Sequence, residues 1–473
     1  MQRRDFVKNT TLASAGLMLG KAATASPFKE FPEVRVPAAQ RHFSSPAVEA
    51  IITEVKSKAR NPEIGWLFEN CFPNTLDTTV DFEYIDGKPD TYVITGDIDA
   101  MWLRDSTAQV WPYLPLMKQD PKLQELIKGV INRQTKCILL DPYANAFFKD
   151  FNKESEWKND LTKMQPGIHE RKWEIDSLCY PIRLAHAYYL TTGDTSVFDS
   201  SWVKAMQLVL QTFKEQQRFN DRGPYTFQRT TAWATDGVPL SGYGYPVKPN
   251  GLIVSVFRPS DDATVFPFLI PSNFFAVESL KQMAKLLALP ALGKTAIANE
   301  ATALQQQVQK ALQQHGIINH PVFGRIIAFE VNGYGSFHMM DDANVPSLLS
   351  LPYLGAIAPN DPLYLNTRKV VLSENNPFYY KGKAAAGIGG PHTGFDTIWP
   401  MSITLQAITS VSDKEIAACI ENLRATHAGT GFMHESFHKD DPTKFTRKWF
   451  AWANTLFGEM IWKVYRERKH LLV

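Results

Sequence analysis

The chain has 473 residues, of which 44% are hydrophobic, 12% aromatic and 21% charged, a composition that excludes a disordered, collagenous or coiled-coil protein. Its formal charge of +2 leaves no basic footprint for nucleic acid. Even that excess belongs to residues 1–25, where Arg3, Arg4, Lys8 and Lys21 face Asp5 and leave 46 basic and 47 acidic residues in the remaining chain. What stands out in so neutral a protein is its ring content: 11 Trp, 16 Tyr and 29 Phe.

The N-terminus reads Arg3-Arg4-Asp5-Phe6-Val7-Lys8, a weakly apolar run to Gly20, then Lys21-Ala22-Ala23-Thr24-Ala25. A charged start, a short apolar run and a small-residue end make a secretory signal. Paired arginines before x-Phe-Val-Lys resemble the twin-arginine type. The expected mature protein starts near Ser26, has a lead-in over 26–44, and resides in the bacterial periplasm or outside the cell. The apolar run is shorter than the ~20 residues a membrane span needs. Cys71, Cys137, Cys179 and Cys419 lie 66, 42 and 240 residues apart. That spacing fits no metal finger, and buried free thiols are expected, with one disulfide possible in that compartment.

Beyond residue 45, Thr91–Ile94 reads as one side of a hairpin. Helical spacing dominates from there: Pro121–Leu139, Ser177–Leu190 with Gly193 as its stop, Trp202–Phe219, Thr295–Gln314 ending at Gly316, and Lys414–Thr426. Phe323–Val331 is the other strand candidate. A recurring unit, a loop rich in acids, aromatics, Gly and Pro, opens into an apolar helix near Arg104, Asp176, Asn273, Asp342, Asp396 and Asn454. The steps are 72, 97, 69, 54 and 58 residues, and each accommodates one helical hairpin with its loops. Six such pairs describe an all-α (α/α)6 barrel with small β insertions, its mouth at the N-terminal ends of the inner helices. Asp and Ser at these openings also suit ordinary N-caps. A soft prior of ~150 residues per domain suggests about three domains, but no Gly/Ser or Pro linker interrupts 45–473, which reads as one.

Three stretches concentrate chemistry. Asp97, Asp99, Trp102, Arg104 and Asp105 fall within nine residues, as a sugar site requires: carboxylates and guanidinium for vicinal hydroxyls, an indole for the ring face. Arg258-Pro-Ser-Asp261-Asp262 juxtaposes two carboxylates, which pushes one pKa upward when partly buried and suits a general acid. The glycine-rich loop from Gly429 to His434-Glu435 lets backbone approach a ligand and projects Glu435 as a base. His434-Glu435-Ser436-Phe437-His438 is also a literal zinc-protease signature, but that motif functions on a helix. Gly429 and Gly431 before it and Pro442 after it leave no room for one. Gly387–Pro400 adds His392, Asp396 and Trp399 without the ending of a phosphate loop.

These segments resemble glycoside hydrolase family 125 in Gly96–Ser106, Trp173–Ser177, Arg258–Asp262, Gly394–Trp399 and Met433–Ser436, and the likeness runs from about 45 to 470. It implies an (α/α)6 barrel and a metal-independent, inverting exo-α-1,6-mannosidase, with no cofactor or metal and with mannose-containing glycans as partners. Carried over, Glu435 is the general base and an acid of Arg-Pro-Ser-Asp-Asp the general acid, with Asp262 favoured and Asp261 the alternative. Asp97, Trp102, Arg104, Asp105, Asp176, His392 and His434 are expected to grip the terminal sugar. The competing expectations are a zinc peptidase through His434, Glu435 and His438, and a non-catalytic glycan-binding protein.

Overall fold

The structure, a computed structural model, describes residues 31–473; the segment read as an export signal lies outside the described residues. Val34–Val473 form one compact unit, and of the other, Met1–Glu33, only 31–33 are described. Helices α1 (Pro46–Lys58), α2 (Pro62–Cys71) and α3 (Asn74–Thr78) lead into an alternation of two helix types. One set is α4 (Leu103–Val110), α6 (Ile175–Thr192), α8 (Ile270–Leu287), α11 (Pro400–Ile408) and α13 (Ala451–Glu467). The other is α5 (Pro121–Leu140), α7 (Ser200–Gln216), α9 (Thr295–His315), α10 (Pro362–Val371) and α12 (Asp413–Thr426).

Burial separates the sets. Every residue of α4 is buried, and α13 is buried from Ala451 to Phe457 without a break, as helices inside a ring must be. By contrast α9 buries only Ala298, Ala301, Leu304, Val308, Ala311 and Leu312. That single stripe at helical spacing lies on one face, and its polar Gln and Lys side chains cover the other. Burying each Leu or Val of such a stripe contributes about 1.5–3 kcal/mol. The first set is therefore the inner ring: α4 packs on α6, α6 on α8, α11 on α13, and α13 closes back on α4. The chain is a helical (α/α) barrel.

The expected six-fold pattern departs from the structure at one place. The fourth opening, at Asp342, enters no helix, and residues 343–355 run through turns and bends. Pro346 and Pro352 remove N–H donors and block helical propagation. The buried Asp341 carboxylate organises the segment instead, accepting from the Leu348 and Leu349 N–H groups at 2.7 and 2.9 Å. It still occupies the ring: Tyr180 of α6 donates to the Val345 carbonyl (3.1 Å), and Tyr353 to Glu459 of α13 (3.0 Å).

Strands among the described residues are short and form six separate sheets of two or three strands. Thr91–Val93 belongs to the hairpin of Val80–Ile85 with Lys88–Val93. Within 323–331, Gly324–Ile327 pairs with Ile317–His320, and Glu330–Val331 joins a different sheet. Three two-residue strands, Met101–Trp102, Phe268–Leu269 and Thr397–Ile398, lie at the entrances of α4, α8 and α11, the last separated from its helix by Trp399, and tie those entrances to neighbouring loops. All four cysteines are free and buried. No helix among the described residues is long and apolar enough to cross a membrane.

Candidate active site

The entrances of the inner helices lack the caps expected of them. Trp102, Glu174, Leu269, Trp399 and Phe450 occupy the N-cap positions of α4, α6, α8, α11 and α13, and none makes a side-chain capping bond. Asp105 and Asp176 lie within the first turn of their helices and turn their carboxylates to Arg104 instead. The first helical N–H groups are satisfied by distant loops: Leu103 donates to the Asn145 carbonyl, Ile270 to Phe329 and Ala451 to Thr95, and Ile175 to Ser255 Oγ. Gly96, at φ 125°, allows the first acidic loop to pass this closely, since a Cβ there would lie 2.6 Å from the Trp449 carbonyl oxygen.

Arg104 is the hub of the first cluster. Its Nη1 donates to Glu174 at 2.5 Å and Asp176 at 3.1 Å, its Nε lies 3.5 Å from Asp105, and its Nη2 3.7 Å from Asp261. One buried guanidinium cannot neutralise four carboxylates, so protons remain. Burial pushes the Asp105 carboxyl up to about 6, with Arg104 opposing and Asp261 adding. Burial likewise raises Glu174 well above its usual range and raises Asp176, against the pull of Arg104.

Asp261 and Asp262 diverge although adjacent. Asp261 sits at φ 67°, a conformation costly for a residue with a Cβ, and its side chain is 23% exposed and hydrogen-bonded by Asn145 at 3.3 Å. Asp262 is fully buried; Ser260 donates to its Oδ2 at 2.9 Å, while Oδ1 has no hydrogen-bond partner and lies 3.7 Å from His392 Nδ1. Burial favours the neutral acid, yet His392, Thr235 and Ser260 together hold the Asp262 pKa below its usual range, opposite to the upward shift expected from two neighbouring carboxylates. Burial alone lowers a histidine pKa, but Asp262, then Glu435 and Asp261, carry His392 up to about 9. At neutral pH this pair therefore holds one proton, on the imidazole.

Glu435 is 5% exposed and faces Arg447, whose Nη1 lies 3.5 Å away while its Nε and Nη2 reach Asp97 Oδ1 at 2.9 and 2.5 Å. Arg447 thus bridges the first acidic loop and the Glu435 loop. No sequence motif flagged it; its φ of 36° is the structural sign that the position is special. Glu174, Asn145 and Lys172 also escaped the sequence reading, although Glu174 lies inside a quoted motif. Lys172 donates to the Asp261 carbonyl at 2.9 Å and to Asp236 at 2.8 Å.

Of the residues expected from sequence, Asp97, Arg104, Asp105, Asp176, Asp261, Asp262, His392 and Glu435 converge through these contacts. Trp102 stands at the α4 entrance beside His169, ring centroids 5.2 Å apart, its Nε1 unpartnered. His434 does not join them. Its ring stacks on Phe445 at 3.7 Å, its Nε2 meets Thr430 Oγ1 at 3.1 Å, and burial pushes its pKa down to about 4. Ser436–His438 is a strand, so His434 and His438 do not share a helical face and the zinc-protease geometry fails.

The chain matches the profile described as Metal-independent alpha-mannosidase (GH125) over residues 61–462. It belongs to glycoside hydrolase family 125. A Streptococcus pneumoniae structure, described as a metal-independent alpha mannosidase in a non-productive complex with alpha-1,6-mannobiose, is 40% identical. It superposes at a TM-score of 0.86 over 90% of this chain and all of that one. The Meiotically up-regulated gene 157 protein of Schizosaccharomyces pombe is 44% identical over 91% of this chain and 88% of its own length. A bacterial glucoamylase complexed with acarbose, 12% identical, covers 89% of this chain and 58% of its own at a TM-score of 0.52, a likeness of fold alone. The family 125 chain is thus a glycosidase of the metal-independent α-mannosidase type.

Proposed function

We propose that this enzyme releases terminal α-1,6-linked mannose from glycans with inversion of configuration. The observation that carries the reading is the convergence of carboxylates on one rim: Asp262 lies 3.7 Å from His392, Asp261 3.7 Å from Arg104, and Glu435 3.5 Å from the Arg447 that also holds Asp97. Inversion needs an acid on the leaving oxygen and a base on the opposite ring face. The Asp262–His392 pair carries one proton between them, and the unpartnered Asp262 Oδ1 is free to meet the glycosidic oxygen. As the bond to C1 breaks, the proton held on His392 Nδ1 passes to Asp262 Oδ1, 3.7 Å away, and from there to the glycosidic oxygen. Glu435 takes a proton from the attacking water as the new C1–O bond forms, giving β-mannose. Arg447, with Nη1 3.5 Å from Glu435 Oε1, holds the carboxylate in place for this task.

Asp97, Trp102, Arg104, Asp105, Asp176 and His392 grip the terminal sugar, while His434, stacked on Phe445, anchors the loop that carries Glu435. The near-complete burial of Asp262 and Glu435 supports a blind-ended mouth and so exo action. The α-1,6-mannobiose bound by the pneumococcal relative supports the linkage. Asp262→Asn and Glu435→Gln are each expected to lower kcat by about 10³-fold or more with folding intact, and Asp261→Asn by less. The reverse ranking of the two aspartates assigns the acid to Asp261, and near-wild-type turnover of both Glu435→Gln and Asp262→Asn overturns the mechanism.

The paired arginines at 3 and 4 support export by the twin-arginine route. Arg3→Lys with Arg4→Lys is expected to leave the enzyme in the cytoplasmic fraction, and unchanged export contradicts that part of the reading.

A further inference from the structure

A cavity of about 570 Å³ lies apart from the acidic site, between the loop that follows α7 and the segment 240–249, with Tyr334 on its wall. Its charge is unusual. Arg218 is 8% exposed and forms no ion pair among the described residues. Its Nη1 donates to the Tyr243 carbonyl at 3.0 Å, its Nε to Gln216 at 3.4 Å, and its Nη2 has no partner. Arg222, exposed and also without an ion pair, stands over the Tyr243 ring at 5.7 Å. Burial, reinforced by Arg222, pulls the Arg218 guanidinium down to about 10. Asp221 is the one carboxylate on the wall, and its Oδ1 already accepts from the Gly223 N–H at 2.7 Å.

A buried guanidinium without a counter-charge is costly and is relieved by an anion. Guanidinium forks match the geometry of phosphate oxygens. The rest of the wall is aromatic, with Tyr245 and Tyr334 50% and 64% exposed, and such rings cover the flat face of a sugar. The wall is also held in a demanding shape, since Leu240 and Ser241 have φ values of 55° and 57°, a conformation disfavoured for residues with a Cβ.

We propose that this cavity binds a phosphate-type anion, Arg218 and Arg222 meeting the charge and the tyrosines covering whatever bears it. The bearer is either a phosphorylated sugar or the free ion. Isothermal titration of the full-length protein with inorganic phosphate, mannose 6-phosphate and mannose tests this. Phosphate and mannose 6-phosphate are expected to bind, with Kd rising about tenfold or more in Arg222→Ala and in Arg218→Met, while turnover of a neutral mannobiose stays unchanged. A Kd for mannose 6-phosphate about tenfold below that for phosphate assigns the cavity to a phosphorylated sugar, and equal values assign it to the free ion. No anion binding at millimolar concentration, or equal affinity in wild type and the exposed-site variant Arg222→Ala, overturns the proposal. Because binding is read directly, failure of the mannosidase reading leaves this test intact.

Discussion

The N-termini of the two helix rings are built on opposite plans. On the outside, four of the five helices are capped by Asp120, Asp199, Asp361 and Ser412, whose side chains accept from N–H groups two or three residues on, and only α9, entered at Lys294, goes without. On the inside, Trp102, Glu174, Leu269, Trp399 and Phe450 cap nothing. Oxygens from loops far along the chain satisfy those helices instead, the Thr95 carbonyl holding Ala451 being the longest such reach. Local capping spends an Asp or Ser side chain on the helix itself. Delegating the task to neighbouring loops leaves Asp105, Asp176 and their companions free to face a ligand, and it knits the rim loops into one frame.

The largest effect that would sharpen this contrast is expected at Arg104. Arg104→Met leaves four carboxylates around an empty centre, and breaking a buried ion pair from one side costs about 3–5 kcal/mol. Thermal unfolding should report a large fall in Tm together with lost turnover, and an inner-ring helix that tolerated the change would break the account of the rim as an electrostatic frame. Next in size, Arg447→Ala should lower kcat about 10–100-fold, since Glu435 and Asp97 lose their common partner while the helices keep theirs. A fall in Tm as large as that of Arg104→Met would make Arg447 a structural bridge instead.

The pH profile is a finer probe. His392 gives up its proton as pH rises through about 9, so the acid pair is empty above that value and kcat should fall there. Asp105 takes up a proton below about 6 and ceases to accept from a sugar hydroxyl as a carboxylate, so sugar binding should weaken on that side. His392→Gln should lower kcat and abolish the alkaline limb, and a limb that persists unchanged assigns it to another group. The smallest effect belongs to the outer ring: Asp361→Ala removes the cap on Leu363 N–H and should cost about 1 kcal/mol with no change in kcat.

The same contrast explains what was legible in the sequence. Outer helices announce themselves locally, through a cap such as Asp361 or an apolar stripe such as Ala298–Leu312, and the inner helix α6 shows at least its stop, Gly193, which takes φ 72°. The alternation of such helices with polar loops was enough for the barrel. Asp342 misled because an acidic loop before an apolar run has the same composition whether or not Pro346 and Pro352 forbid the helix. At the site, acids and aromatics in short motifs marked Arg104, Asp105, Asp176, Asp261, Asp262, His392 and Glu435. Arg447 was invisible because its partner Asp97 lies 350 residues away. His434 misled for a related reason: position beside Glu435 does not reveal that its ring turns to Phe445.

The central claim is tested most directly by proton NMR of the first sugar released from α-1,6-mannobiose in the presence of a chelator. The account predicts β-mannose, appearing before mutarotation and undiminished by metal removal. Early α-mannose, or no release while the protein still binds the disaccharide, would contradict it.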